Sequence, residues 1–293
     1  MVFEDAEEAL SELIDVDVSA QQIQRVCKYY GEQFDALIRA NCEAVIPRIE
    51  KGSKDEMTYV MVDGSMLLTR DDAWKEMKLG RIFQDRHLID IQLNRRTITD
   101  SVYVSHLGCA DAFFAKFERF LTSYQKKIIL ADGAPWIWKW AEDNYPGAIQ
   151  ILDFYHAQEK LYAFARDQFK EDDKRKAWVE EQKAKLLDNQ VDQVIATISA
   201  CKARSKPAQQ SKESVIRYYT EHNDRMHYKT YLEKGLLIGS GPIEAAHRSV
   251  VHQRLKLSGQ KWSIPGAQAV SNLRCYQQSN SWNRVLQVIS AAA

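Results

Sequence analysis

Two aspartates lie in or next to apolar stretches, where a carboxylate lowers stability unless it has a binding partner. Asp63 lies inside the apolar stretch Thr58–Thr69 (TYVMVDGSMLLT), and Asp132 directly follows the apolar stretch Lys127–Ala131 (KIILA). A buried carboxylate needs a hydrogen bond, an opposite charge or a metal ion, and α/β sheets bind ligands at the carboxyl ends of strands. Two structural alternatives remain open: an Asp-Gly turn at Asp63 and a helix-capping role for Asp132.

A third carboxylate, Glu244, follows Gly239-Ser240-Gly241-Pro242, a turn with the chemistry of a helix start. The helix dipole favours a glutamate in a first turn without any function. Arg248, four residues further on, could pair with it as a simple ion pair. Glu244 is therefore a candidate for the acidic site in combination with the other two carboxylates.

Asp153 and His156 follow another apolar stretch, Ala148–Leu152 (AIQIL). Asp153 could cap the next helix, and His156 could hydrogen-bond in the core. The functional alternative is a pair that lies behind the acidic site and orients it.

The elements that must position these residues follow from apolar periodicity. We predict an N-terminal helical segment at residues 1–57, then strands at 58–69, about 77–83 and 101–106. Gly80 in the second strand predicts a bulge or bend. Helices then alternate with two further strands, 127–131 and 148–152. The order β-β-β-α-β-α-β-α, with right-handed crossovers, is that of the ribonuclease H-like fold: a mixed five-stranded sheet flanked by helices.

The remaining chain predicts an all-α insertion before the last acidic residue. Residues 157–237 are charged and helix-prone, with a linker at 205–211. Residues 238–293 would return to the core, with a helix over 243–257. We thus divide the ribonuclease H-like core into 58–156 and 238–293.

The predicted strand order places the carboxylates near one another. In a ribonuclease H-like sheet the first and fourth strands are neighbours, so Asp63 and Asp132 would face each other, and a final helix could bring in Glu244. Converging carboxylates repel one another unless a cation compensates, and hard oxygen ligands favour Mg²⁺, with Mn²⁺ as a substitute. Two such ions can activate an attacking oxygen and stabilise the leaving oxygen at a phosphodiester.

Four sequence strings carry a specific resemblance: DGAPWIW, DFYH, IGSGPIEAAHR and RLKLSGQKWSIPGAQAVSNLR. Together they resemble bacterial insertion-sequence transposases of the ISKra type, related in plan to the Mutator-like group, over roughly residues 58–285. The resemblance implies a DDE transposase whose metal-binding triad is Asp63, Asp132 and Glu244. It also implies that Asp153 and His156 match the Asp/Cys-x-x-His signature of that group.

The same resemblance implies partners. These would be DNA, as transposon ends and target, and further copies of the chain assembled on that DNA. Such transposases usually carry a longer N-terminal region that recognises the element ends, and only about 57 residues precede the first strand here. We therefore expect recognition of specific DNA to need more than this chain.

Cations cluster after Glu244, three of them at four-residue spacing. On a helix they would share a face suited to phosphate contacts, and a neighbouring tryptophan could stack on a base. The alternative is an ordinary solvated face. The candidate DNA-binding residues are Arg248, His252, Arg254, Lys256, Lys261 and Trp262.

Charge and composition agree with a nucleic-acid partner and argue against a disulfide-stabilised, zinc-ribbon or membrane-spanning protein. Residues 1–60 carry 6 Lys and Arg against 13 Asp and Glu, whereas residues 201–293 carry 14 against 5, so the basic charge concentrates near the C-terminal end. The five cysteines are scattered without a CxxC pair. No run of about 18 apolar residues occurs, and the acidic first residues do not resemble a signal peptide. We expect a cytoplasmic protein.

Two other functions remain open. One is a non-catalytic or regulatory DNA-binding remnant of a transposase, and the other is a ribonuclease H-like nuclease without strand transfer.

Overall fold

The computed structural model describes residues 2–49, 56–92, 95–121, 126–203 and 205–292. It begins with two helices, α1 (Phe3–Ile14) and α2 (Ala20–Arg39). Helix α2 starts at a reciprocal cap: the Ser19 hydroxyl accepts from the Gln22 backbone N–H, and the Gln22 side chain accepts from the Ser19 N–H. Two otherwise unpaired backbone donors are satisfied in this way.

The strands are β1 (Met57–Leu68), β2 (Trp74–Gln84), β3 (Leu88–Gln92), β4 (Arg95–Ile98), β5 (Val102–Leu107), β6 (Lys126–Ala131) and β7 (Ile149–Leu152). Five of them form one mixed sheet in the order β5-β2-β1-β6-β7. The pairs β1/β2 and β2/β5 are antiparallel, and β6/β7 is parallel. A separate antiparallel hairpin, β3/β4, lies between the second and third strands of the sheet along the chain.

The predicted fold class is confirmed: helices flank a five-stranded mixed sheet whose order is that of the ribonuclease H-like plan. The hairpin β3/β4 was not predicted. Most of β3 is exposed, so it lacks the alternation of buried and exposed side chains that marks a strand in a sequence.

Asp63 and Gly64 lie within a continuous strand. Their register partners on β2 are Leu79 and Lys78, and the pairing of β1 with β2 runs without interruption from Thr58 to Leu68. The alternative of an Asp-Gly turn joining two short strands is therefore wrong.

Gly80 does not form the bulge or bend that its position predicted. It pairs in regular register with Val62 on one side and Val104 on the other. A Cβ at Gly80 would lie 2.2 Å from Cε2 of Phe117, whose side chain is fully buried. The glycine thus makes room for an aromatic ring of α3 (Ala110–Phe117).

We expect Gly80→Ala to lower the free energy of unfolding by about 1–3 kcal/mol, because the added methyl group overpacks the contact with Phe117. Urea denaturation measures this. The double variant Gly80→Ala/Phe117→Leu supplies the control, since its smaller side chain should relieve part of the clash. A Gly80→Ala protein as stable as the parent would contradict this account.

The described residues between 157 and 237 contain helices and no strand. The predicted linker at residues 205–211 is wrong, because Ser205 caps a helix by accepting from the Ala208 N–H and Pro207 occupies its first turn. The helices from α4 onward are α4 (Pro135–Asn144), α5 (Phe154–Gln168), α6 (Asp172–Leu187), α7 (Val191–Ala200), α8 (Lys206–His222), α9 (Tyr228–Glu233), α10 (Gly241–Ala246), α11 (Gln253–Leu255), α12 (Ile264–Gln278) and α13 (Trp282–Ala292), with a π-helical segment (His247–His252) between α10 and α11.

The chain divides into two compact units. Unit 1 contains residues 1–127 and 242–293, and its core includes the stacked rings of Tyr59 and Phe83. Unit 2 contains residues 128–241, where the helices after β7 bury Tyr219 and Tyr228 completely. Within the described ranges, none of the helices has the length and apolar character needed to cross a membrane.

Candidate acidic site

Asp63 lies in unit 1, in the middle of β1, with its side chain 30% exposed. Its Oδ1 accepts a hydrogen bond from the Gly64 N–H at 2.7 Å. Its Oδ2 lies 3.5 Å from Nε2 of His247, which is longer than an ordinary hydrogen bond. The carboxylate is therefore oriented by the backbone of its own strand, lies close to a histidine, and keeps access to solvent.

His247 is a component of the site that the sequence interpretation missed. It is 3% exposed, and its Nδ1 lies 3.1 Å from Oγ of Ser65. Burial lowers its pKa to about 4; interaction with the Asp63 backbone opposes the shift, and His252 and Lys256 add to it. The imidazole is therefore neutral at physiological pH. The signal for it was its place in the string IGSGPIEAAHR, three residues after Glu244.

Glu244 is exposed in the first turn of α10. The start of this helix is held by Arg81, a buried residue of β2 that donates to the Pro242 carbonyl at 2.8 Å and to the Ser101 hydroxyl at 3.0 Å. The guanidinium also lies 5.2 Å from the ring centroid of Tyr103. Strand β2 thus fixes the turn from which Glu244 projects.

A π-helical segment follows Glu244, where a plain α-helix over 243–257 was predicted. Short π-helical turns are rare and frequently occur at functional sites. Arg248, Lys256 and Lys261 are exposed and His252 is half-buried, so these four residues stay on the accessible side of unit 1.

Arg254 and Trp262 occupy a different environment from the other predicted DNA-binding residues. Each is only 7% exposed. The Arg254 guanidinium lies 4.2 Å from the ring centroid of Phe3 and 5.1 Å from that of Trp262, and the Trp262 backbone bridges to Thr69. The Trp262 ring thus packs inside unit 1, with its centroid 6.3 Å from that of Phe3, and is not exposed for the expected stacking on a base.

Asp132 lies in unit 2, immediately after β6, and is half-buried. Its Oδ1 accepts from the Ala134 N–H at 3.0 Å, and its carbonyl accepts from the Trp138 indole N–H at 2.7 Å. Helix α4 begins three residues later, at Pro135, with Ala134 at the capping position. Asp132 therefore closes a turn ahead of the helix, and the helix-capping alternative is wrong.

Asp153 and His156 form a hydrogen-bonded group with Ser240 in unit 2. Asp153 is fully buried and caps α5 by accepting from the Tyr155 N–H at 2.9 Å. Its other oxygen lies 2.5 Å from Nδ1 of His156 and accepts from the Ser240 hydroxyl at 2.5 Å. The capping alternative is thus confirmed, and the same carboxylate also contacts His156.

The two titrating groups of this pair shift in opposite directions. Burial alone would raise the pKa of Asp153, but the hydrogen bonds from His156, Ser240 and Tyr155 outweigh it and lower that pKa. The hydrogen bond to Asp153 raises the pKa of His156 to about 9, although burial opposes the shift. The pair is therefore a carboxylate and an imidazolium at neutral pH.

The stabilisation from His156 should be pH-dependent. Its folded pKa of about 9 exceeds the ordinary value of 6.5, so its contribution is complete below pH 6.5 and is lost as the pH rises through about 9. We expect the difference in free energy of unfolding between the parent and His156→Gln to shrink over that interval. Urea denaturation at successive pH values measures it, and a constant difference would contradict the assignment.

The three predicted carboxylates occur in both units: Asp63 and Glu244 in unit 1, Asp132 in unit 2. Their oxygen donors suit Mg²⁺ by chemistry. Across the ranges that the structure describes, no three His, Cys, Asp or Glu side chains are grouped so that they could hold a metal ion. The metal triad therefore stays a prediction.

Comparison with known proteins adds a distant likeness. No protein-family model matches the chain, and no curated protein matches it in sequence. Among solved structures, the chain is similar to the Drosophila P element transposase strand transfer complex at 7% identity and a TM-score of 0.27, covering 99% of this chain and 85% of that one.

Proposed function

We propose that this chain is the catalytic part of a DDE-type DNA transposase of the ISKra type, acting on the ends of a mobile element in the cytoplasm. The observation that carries the proposal is Asp63, a partly exposed carboxylate in the middle of an unbroken strand, next to a buried neutral histidine. The ribonuclease H-like strand order and the four sequence strings support it.

Asp63, Asp132 and Glu244 would hold divalent cations, Mg²⁺ or Mn²⁺. When bound, such ions supply a polarised attacking oxygen and charge stabilisation for the leaving oxygen at phosphorus. The Gly64 N–H holds the Asp63 carboxylate, and the Ala134 N–H holds that of Asp132. The exposed cations Arg248, Lys256 and Lys261 would bind the phosphate backbone of the DNA partner.

Two successive reactions would follow. In the first, a water oxygen bonds to phosphorus at the element end and the bond to the 3′ oxygen breaks, leaving a 3′-hydroxyl and a 5′-phosphate. In the second, that 3′-hydroxyl attacks a target phosphodiester, and the bond that breaks frees a target 3′-hydroxyl. One phosphodiester forms for each one broken in the second reaction, so no further energy source is needed.

The test uses DNA duplexes with the sequences that flank the gene, with and without a pre-cut 3′ end. Cleavage and a joined product, both requiring Mg²⁺ or Mn²⁺ and both lost with a chelator, would support a transposase. Cleavage without a joined product would indicate a nuclease. Binding of DNA without cleavage, and without Mn²⁺ binding that depends on Asp63 in calorimetry, would indicate a non-catalytic remnant.

A further inference from the structure

One face of α8, in the helical insertion, contacts the turn that follows Asp132. Tyr218 and His222 are four residues apart and so lie on the same side of that helix. A Cβ at Gly133 would lie 2.2 Å from Cε2 of Tyr218, so the turn approaches the tyrosine ring more closely than any other residue type would allow. The rings of Tyr218 and His222 pack edge to face at 4.9 Å.

Further contacts hold both rings. Nζ of Lys160 lies 5.2 Å from the Tyr218 ring centroid. His222 is buried, and its ring centroid lies 6.2 Å from that of Trp138. Because the Trp138 indole donates to the Asp132 carbonyl, His222 supports the Asp132 turn from a second direction.

Electrostatics keep both side chains uncharged. Burial raises the pKa of Tyr218, as do the carboxylates of Asp132, Asp153 and Glu159, and a hydrogen bond with the Gly133 backbone only partly opposes this. Burial lowers the pKa of His222, with Arg225 adding to the shift. Both shifts favour the uncharged form, so the phenol and the imidazole pack against the turn as uncharged rings.

We propose that Tyr218 and His222 are positioning residues that fix the Asp132–Gly133 turn, so that the helical insertion sets the orientation of the Asp132 carboxylate. The effect of this positioning on catalysis rests on the proposed function, whereas the contact between the two side chains and the turn is independent of it. The insertion then takes part directly in positioning Asp132 and is more than a spacer in the sequence.

Amide hydrogen exchange tests the positioning directly. The Ala134 N–H donates to Asp132 Oδ1, so its exchange rate reports whether the carboxylate is held in place. We expect Tyr218→Leu to speed exchange at Ala134 by about fivefold, as expected for the loss of one hydrogen bond's stabilisation. Tyr218→Phe, which keeps the ring, should restore most of the protection.

A matched control lies next in the sequence. Tyr219 is fully buried on α8, and its hydroxyl donates to the Ala157 carbonyl at 2.7 Å. Tyr219→Phe should lower the melting temperature without a selective change at Ala134. Gly133→Ala approaches the same contact from the other side and should resemble Tyr218→Leu even if that variant folds poorly. The double variant Gly133→Ala/Tyr218→Leu should lose less protection at Ala134 than the two single variants lose together, because both changes act on one contact.

Activity supplies a second measurement. Tyr218→Leu should lower metal-dependent cleavage about 10- to 100-fold and weaken Mn²⁺ binding, as changes behind metal ligands commonly do, whereas Tyr219→Phe should not. Unchanged exchange at Ala134 in both Tyr218→Leu and Gly133→Ala would overturn the inference. Faster exchange in a protein that never cleaves DNA would support the positioning and contradict the proposed function.

Discussion

Replacing Asp132 with Asn is expected to reduce metal-dependent DNA cleavage by about a thousandfold, which corresponds to about 4 kcal/mol of transition-state stabilisation. Asparagine has nearly the same shape, and its carbonyl oxygen can still accept from the Ala134 N–H that Asp132 binds. The turn should therefore persist while the negative charge that attracts a hard cation is removed. Initial cleavage rates over a range of Mg²⁺ concentrations measure the loss.

Asp143 provides the matched control for this substitution. It lies on α4 in the same unit, is exposed, and pairs with Lys139 on the helix surface. Asp143→Asn should leave cleavage unchanged, because it removes the same charge away from the turn. If Asp132→Asn cleaves as fast as the parent, Asp132 is not a ligand of the reacting centre and the transposase assignment fails.

Replacing Lys116 with Met is expected to destabilise the protein by about 3–5 kcal/mol, because it leaves a buried carboxylate without its main partner. Lys116 is buried in unit 1 and donates to Asp35 Oδ1 at 2.8 Å, to Asn272 Oδ1 at 2.8 Å and to the Ser105 carbonyl at 3.1 Å. These bonds join α2, α3, β5 and α12. Burial would raise the pKa of Asp35, but Lys116 and Arg39 together hold it below its usual value.

Denaturant unfolding of the Lys116→Met variant tests this contribution. Lys139→Met serves as the control: Lys139 is an exposed lysine with a surface ion pair, and its loss should cost no more than about 1 kcal/mol. The double variant Lys116→Met/Asp35→Leu should regain part of the lost stability, since it removes the uncompensated charge. A Lys116→Met protein that is as stable as Lys139→Met would show that Arg39 alone compensates Asp35.

The sequence was sufficient to predict the five strands of the sheet, with one aspartate within β1 and another directly after β6. These predictions depend on local patterns: apolar residues dense in β1 and β6, and turn chemistry at Asp132-Gly133. The same local reasoning missed the β3/β4 hairpin, because most side chains of β3 are exposed. It also failed at a residue whose type fits two different structural roles. Gly80 predicted a bulge, yet its lack of a side chain accommodates Phe117.

The acidic residues are thus a prediction that the sequence makes by itself, whereas the residues that contact them emerge only from the tertiary structure. His247 contacts Ser65 across 182 positions of the chain, Arg81 binds the Pro242 carbonyl across 161, and Tyr218 meets Gly133 from the insertion. The burial of Arg254 and Trp262 against Phe3 likewise depends on α1 returning to that surface. Periodicity records which side of its own element a residue occupies, but the packing of distant segments decides which side chains meet.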